Sequence, residues 1–404
     1  MDIDNAFPLD GLKVLDFSMG VAGPTCACLL AQHGADVIKV EPPIGDWGRP
    51  MGLSRGSLSV SFATYNRGKR GIVLDVGKPE GRDIAHRLAA DADIVVESYR
   101  PGIVSKLGLD YDTLLGLNPN LTYVSVTGYG QDGPYRDMPA TDAIVQSLTG
   151  LVNLNRPDDG SPHKIQIILI DLVAGLYAFH NILMTLLKRA RGATGGHRIE
   201  APLLHIATWL QATRLGEYVL AEGNPPMENV SPVGTFEATD GLITIVALRD
   251  DQWRRLCKAV GREDLPEDPR YLTIPLRLEH DAALKAELRP IFKTRSVAEW
   301  SARLTEADIL HHKVLDYGEF LAHPQLAHMK LLIDNDHPGL GRFPLVGPVG
   351  AAPLTPDDPR RVAPRLGQHS REVLAEMGMD GAAIDALIAA GIVATDAAEA
   401  AAAE

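Results

Sequence analysis

Asp171 follows the apolar run Ile165–Ile170 (IQIILI) and opens a second apolar stretch, LVAGLYAFHNILMTLLKRA, over 172–190. The first run reads as a strand and the second as a helix of about five turns. A lone carboxylate delivered by a strand to the mouth of a helix has two readings. Asp is a preferred helix N-cap, because its oxygens take backbone N–H groups left free at the first turn. A carboxylate at the carboxyl edge of a sheet is also a nucleophile able to carry an acyl group. One carboxylate has lone pairs enough for both roles.

The cations fall in two patches. YNRGKR (65–70) brings Arg67, Lys69 and Arg70 together ahead of a strand, and SYRPG (98–102) with Lys106 follows another. The chain carries 39 Lys and Arg against 52 Asp and Glu, a formal charge of −13, so clustered cations stand out. Solvated surface accounts for them, and so does a polyphosphate held by Lys and Arg at two strand ends. The loop GYGQDGP (128–134), with Gly130 and Gln131 at its centre, offers backbone N–H groups to an anion or simply turns the chain. It lacks the lysine and spacing of a P-loop. SMGVAGP (18–24), with Glu41 ending the next strand, resembles a dinucleotide turn, but G-x-x-G before Pro24 is not G-x-G-x-x-G. A nicotinamide enzyme and a tight packing turn both stand as readings of it. No G-x-S-x-G, H-E-x-x-H or S-x-x-K occurs.

The elements that must position these residues alternate in type. Strands are expected at 12–18, 36–41, 71–76, 93–99 and 121–130, with helices at 24–33 and 79–92 and a further strand at 197–203. This β-α rhythm predicts an α/β fold with a parallel sheet covered on both faces, and ligands beyond the carboxyl ends of its strands. The cluster of Pro, Gly and Asn at 223–234 reads as a boundary. We therefore expect 1–225 to form a large domain, 226–332 a small one, and 333–404 a return strap with C-terminal helices completing the large domain. The tail from Val393 has nothing to bury and reads as a frayed helix or disorder.

The negative charge argues against nucleic-acid and anionic-membrane partners. No uninterrupted apolar stretch reaches about 18 residues, so no membrane span is expected. The acidic start MDIDNAFPLDG lacks a secretory h-region. Three cysteines, Cys26, Cys28 and Cys257, point to a reducing, cytoplasmic compartment and make no metal site.

Read together, VLDFSMGVAGP, GADVIKVEPPIGDWGR, YNRGKRGIVLD, ADIVVESYRPG, NPNLTYVSVTGYGQDGP and DLVAGLYA resemble the class III CoA-transferase family, also called CaiB/BaiF. The resemblance runs over nearly the whole chain, with blocks in family order and spacing. It implies a Rossmann-like large domain formed by both chain ends, a smaller α+β domain, and an interlocked, ring-like homodimer. It implies an enzyme that moves CoA from an acyl-CoA to a free carboxylic acid, with no permanently bound cofactor and the CoA thioester as substrate. Asp171 aligns with the catalytic aspartate. The segments around Val21–Ala22, Leu74–Gly77, Ser98–Tyr99–Arg100 and Lys106 align with the CoA site. Val21, Pro42, Gly77 and Ser98 depart from the formyl-CoA transferase pattern, which leaves Arg49, Arg100 and Arg136 as substitute cations. Acyl-CoA racemases of the superfamily carry Gly-His-Asp where this chain has Ala140-Thr141-Asp142. A threonine hydroxyl is too weak an acid to exchange an α-proton near neutrality. A racemase and a non-catalytic acyl-CoA binding protein are the rival readings.

Overall fold

The computed structural model describes residues 7–56, 58–155, 160–223, 229–350 and 354–396. The chain divides into two compact units, one built from residues up to Ala212 and from Leu331 onward, the other from Thr213–Lys330. The expected boundary near 225 thus falls inside the smaller unit. Residues 224–228 of that segment, and the tail beyond Asp396, lie outside the described residues.

In the larger unit seven strands form one sheet. They are β1 (Lys13–Asp16), β2 (Asp36–Glu41), β3 (Arg70–Leu74), β4 (Ile94–Glu97), β5 (Thr122–Ser125), β6 (His197–Glu200) and β7 (Val393–Ala394). Their spatial order is β7-β3-β2-β1-β4-β5-β6. All pairings are parallel except β7 on β3. The six parallel strands therefore run 3-2-1-4-5-6, and the order reverses between β1 and β4. In such sheets the crevice at that reversal is the usual ligand site.

Both faces are buried, which is why the strands read as continuous apolar runs. One face packs helices α1 (Ala22–Gln32), α7 (Leu169–Ala190) and α8 (Leu203–Leu210) on Val14, Ile94 and Val124. The other packs α3 (Pro79–Ala90), α4 (Ile103–Leu107) and α5 (Tyr111–Leu117) with the C-terminal helices Ser370–Glu376 and Gly381–Ala389. Two further helices matter to the site: α2 (Val60–Asn66) and α6 (Asp142–Leu148). The tail from Val393 differs from expectation, because Val393 and Ala394 pair with Leu74 and Val73 at the sheet edge. In the larger unit's second segment, Leu332–His337 and Gly341–Val346 form a hairpin inside the expected strap.

The smaller unit has an antiparallel sheet ordered Leu310–Lys313, Leu242–Val246, Val233–Glu237. Its helices Asp250–Val260, Asp281–Phe292 and Val297–Glu306 bury Trp253, Phe292 and Trp300.

The expected strand over 165–170 does not form. That backbone is irregular until α7 begins at Leu169. The parallel edge of β5 is already taken by β6. Ile170 instead heads the stripe Ile170, Ala174, Ala178, Ile182 that faces the core from α7. Gly175 lets this helix lie hard against α1: a Cβ there would stand 2.6 Å from the Ala22 carbonyl oxygen. With 22 residues and a mean hydropathy of 1.5, α7 is long and apolar enough to cross a membrane by composition. The sequence reading passed over this length because Asp171 interrupts the apolar run without ending the helix. Here one stripe of α7 is core.

A buried charge network holds the turn after β1. Lys69 Nζ lies 2.8 Å from Asp16, 2.8 Å from Asn66 Oδ1 and 3.0 Å from the Pro24 carbonyl. Lys39 Nζ lies 2.8 Å from Asp46 and donates to the Ser18 carbonyl at 2.8 Å. Asp46 in turn accepts the N–H groups of Gly20 and Gly48. Burial alone would push the Asp16 carboxyl up; Lys69 and Lys39 overcome this and hold it below the usual carboxylate range. Removing one partner of such a pair leaves an uncompensated buried charge. We expect Lys69→Met to cost about 3–5 kcal/mol of stability, read as a lower urea midpoint. An unchanged midpoint would show that the network is not holding the turn.

Candidate active site

The reversal of strand order opens a cleft of about 520 Å³. Its walls come from the carboxyl ends of the central strands. The β1–α1 turn supplies Met19, Val21 and Ala22; the β4–α4 loop supplies Ser98, Tyr99 and Arg100. Ser98 ties the two together, its Oγ accepting the Met19 N–H at 2.9 Å. The end of β5 adds Val126, Thr127 and Gly128, and the following loop adds Arg136 and Met138. Trp47 and Leu203 close the sides. Gly128 has to be glycine here, since a Cβ would meet the Ala140 Cβ at 2.2 Å. That close approach brings Ala140 and Thr141 into the wall.

Asp171 enters this cleft from the first turn of α7. It is not the N-cap; Ile168 holds that position without a side-chain bond. The cap comes from another helix. Asp142 Oδ2 accepts the Ile170 N–H at 2.6 Å and that of Asp171 at 3.4 Å. Among the described residues, no hydrogen bond to the Asp171 carboxyl oxygens is formed. Burial, and then the nearby negative charge of Asp142, push the Asp171 carboxyl up to about 7. The positive end of α7 favours the anion, but desolvation outweighs it. The result is a half-buried carboxyl that ionises near neutrality, as a tuned nucleophile or base requires.

Of the residues picked out from sequence, Val21, Ala22, Ser98, Tyr99, Arg100 and Asp171 come together in this cleft. Several others do not. Leu74 is fully buried in the core. Lys69 is consumed by Asp16, and Arg49 by Glu41, which it meets at 2.6 and 2.5 Å with its guanidinium 3.9 Å over the Phe62 ring. Neither offers a free charge to a phosphate. Glu41 is likewise spent on Arg49, which removes the ribose contact of a dinucleotide site. Arg70 begins β3, at the opposite end of the strand, and binds Asp36, Glu372 and Glu376. Lys106 is exposed on α4 and outside the cleft lining. Gly130 and Gln131 also lie outside it; the Gly130 N–H donates to Thr127 Oγ1 at 3.1 Å. The cations that remain on the cleft wall are Arg100 and Arg136. No histidine is among the described lining residues, and Thr141 stands where a racemase would need one.

Sequence reasoning named Asp142 only as part of a triplet and missed its contact with α7. The signal available was Asp142 and Gln146 one helical turn apart, a spacing that places both on one face. Tyr65 of α2 was missed as well: it lies outside the cleft lining, but burial and then the charge of Asp171 push its hydroxyl up.

A doubly wound sheet, an anion-ready cleft at its reversal point and a desolvated carboxylate define an enzyme of group transfer. The chain belongs to CoA-transferase family III, whose model matches residues 9–370. It is 36% identical to an acyl-CoA transferase of Fusarium pseudograminearum, over 93% of this chain and 86% of that one. It is 34% identical to a succinate–glutarate CoA-transferase of Agrobacterium fabrum, over 92% of this chain and 96% of that one. The crystal structure of a CaiB/BaiF family protein from Brucella suis matches with a TM-score of 0.79 and 32% identity, covering 92% of this chain and all of that one. The protein is thus an acyl-CoA:carboxylate CoA-transferase, acting on CoA thioesters and free acids.

The raised Asp171 carboxyl has a cost in stability. Between about pH 4 and pH 7 the folded chain keeps a proton there that the unfolded chain has lost. Its contribution is therefore complete at low pH and drains away as pH rises to 7. Asp171→Asn should raise the melting temperature by several degrees at pH 8 and change it little at pH 4. Equal melting at both pH values for the two proteins would contradict the desolvated state of this group.

Proposed function

We propose that Asp171 is the acyl carrier in CoA transfer. The observation that carries this reading is its position: a carboxyl at the cleft wall, with no hydrogen-bond donor on its oxygens among the described residues and ionisation brought to about 7. A carboxylate without donors keeps its lone pairs for attack.

The steps balance as follows. A carboxylate oxygen of Asp171 attacks the thioester carbonyl carbon, and the C–S bond breaks. This gives an aspartyl-acyl anhydride and CoA thiolate. The thiolate then attacks the aspartyl carbonyl, releasing the donor acid as its carboxylate and leaving an aspartyl-CoA thioester. The acceptor carboxylate attacks that thioester and expels the thiolate again. The thiolate finally attacks the acceptor's acyl carbon, releasing the new acyl-CoA and the free Asp171 carboxylate. No net proton is needed, and one thioester replaces another, so the driving force is small. Water is the hazard, because it hydrolyses an anhydride; a desolvated nucleophile reduces that loss. Each attack develops an oxyanion, and the backbone at Gly128, on the cleft wall, is a candidate donor.

Val21, Ala22, Ser98 and Tyr99 hold the pantetheine side of CoA in this reading, and Arg100 and Arg136 take its phosphates. Arg suits this task because its fork binds phosphate oxygens in pairs. The acids exchanged are small dicarboxylates, by analogy with the Agrobacterium relative. The working form is a homodimer, as the family resemblance implies.

Asp171→Ala and Asp171→Asn should each abolish CoA exchange between succinyl-CoA and a panel of dicarboxylic acids while CoA still binds. Hydroxylamine added during turnover should leave its adduct on the peptide holding Asp171. The wild-type rate should climb with pH through about 7 as the nucleophile loses its proton. Turnover by the Ala variant would remove Asp171 from the chemistry.

A further inference from the structure

Asp142 is 8% exposed, and Gln146, one helical turn further along α6, is fully buried. Neither lines the cleft. Gln146 Nε2 donates to Asp142 Oδ1 at 2.6 Å, and its Oε1 accepts the Ile165 N–H at 2.8 Å. The Ile165 N–H can only donate, so it fixes which end of the amide faces it. The other oxygen of Asp142 takes the Ile170 and Asp171 N–H groups. Two buried side chains on one short helix thus grip the chain on both sides of the α7 start, at Ile165 and at Ile170–Asp171. Every partner of Asp142 is a donor, which suits an ionised carboxylate.

We infer that Asp142 and Gln146 form a clamp that seats the first turn of α7 and so aims Asp171 into the cleft. Asp142 is a positioning residue, and the inference rests on Asp171 being the acyl carrier. The grip is needed because the segment ahead of α7 has no strand to hold it. A misplacement of about 1 Å at a reacting group costs about a hundredfold in rate. The clamp has an electrostatic consequence too. Asp142 sets a fixed negative charge behind Asp171, which adds to burial in raising its carboxyl. Tyr65 of α2 feels the charge of Asp171, and Arg100 and Arg136 share the cleft wall with it, though neither offsets the rise in its carboxyl. From α1 and α8 the cleft lining takes Ala22 and Leu203, which carry no charge.

The test compares Asp142→Asn, Gln146→Leu and Asp171→Asn in the full chain. CoA exchange is measured across pH, with kcat and the KM for acyl-CoA separated, and melting curves verify folding. Asp142→Asn should lower kcat by about a hundredfold with KM unchanged. Its acidic limb should move to lower pH, because the anion behind Asp171 has gone. Gln146→Leu should lower kcat while the acidic limb stays in place. Should Asp142→Asn fail to fold, Asp142→Ser serves instead: a short hydroxyl still caps, without charge. An Asp142 variant with wild-type kcat and an unmoved limb overturns the clamp, as does a loss in which KM rises and the limb stays. Turnover by Asp171→Asn overturns the acyl-carrier reading itself, whatever the Asp142 variants do.

Discussion

Desolvation of one carboxylate is the constraint on which the site depends. Asp171 lies in the first turn of a helix whose core stripe, beginning at Ile170, is locked against α1. That packing requires Gly175, where any side chain would strike the Ala22 carbonyl. Ala22 also lines the cleft. The same helix–helix contact that builds the hydrophobic core therefore brings the carboxylate to the point where strand order reverses. Burial raises the free energy of the anion, and a neighbouring anion, Asp142, raises it further. An aspartate in water is ionised well below neutrality; this one ionises only near neutrality, in a cleft where no described residue donates a hydrogen bond to its oxygens.

The same physics separates the cations. Lys39, Lys69 and Arg49 sit under the β1–α1 turn, each against a carboxylate within 2.8 Å. Buried charges persist only when paired, and pairing removes them from the pool that can meet a phosphate. They fix the shape of the turn that Met19, Val21 and Ala22 present. Arg100 and Arg136 differ in keeping solvent access at the cleft wall. So the strongly charged sequence cluster at 65–70 is scaffold, and single arginines elsewhere face the ligand space.

Much of the sheet was legible. β2 was expected at its observed bounds, and β1, β3, β4 and β5 within a few residues. Continuous Val, Ile and Leu runs between helical segments have few other solutions than a parallel sheet. The run at 165–170 was misread because short apolar runs suit a buried strand and a buried helix equally. Its neighbour β5 had another partner, His197–Glu200, which local sequence does not disclose. Val393–Ala394 was misread in the opposite direction: too short and too Ala-rich to look like a strand, it gains its place from the open edge of β3. For the site, the turn at 18–24, the loop at 98–100 and Asp171 were found from residue type and the family resemblance. Lys69 and Arg70 were picked by residue type and Leu74 and Arg49 through the resemblance, and their burial and pairing were invisible.

What the sequence determined by itself was the inventory: an acidic chain, a β-α alternation, a single aspartate between apolar runs, and blocks that carry the resemblance to one family. These are local properties, set by side-chain volume, polarity and spacing. Tertiary structure decided which charges are spent on one another, which carboxylate loses its water, and that the cap of α7 is lent by Asp142 from 29 residues away. Such assignments follow from long-range proximity and local dielectric, and neither is a property of a residue or of its neighbours along the chain.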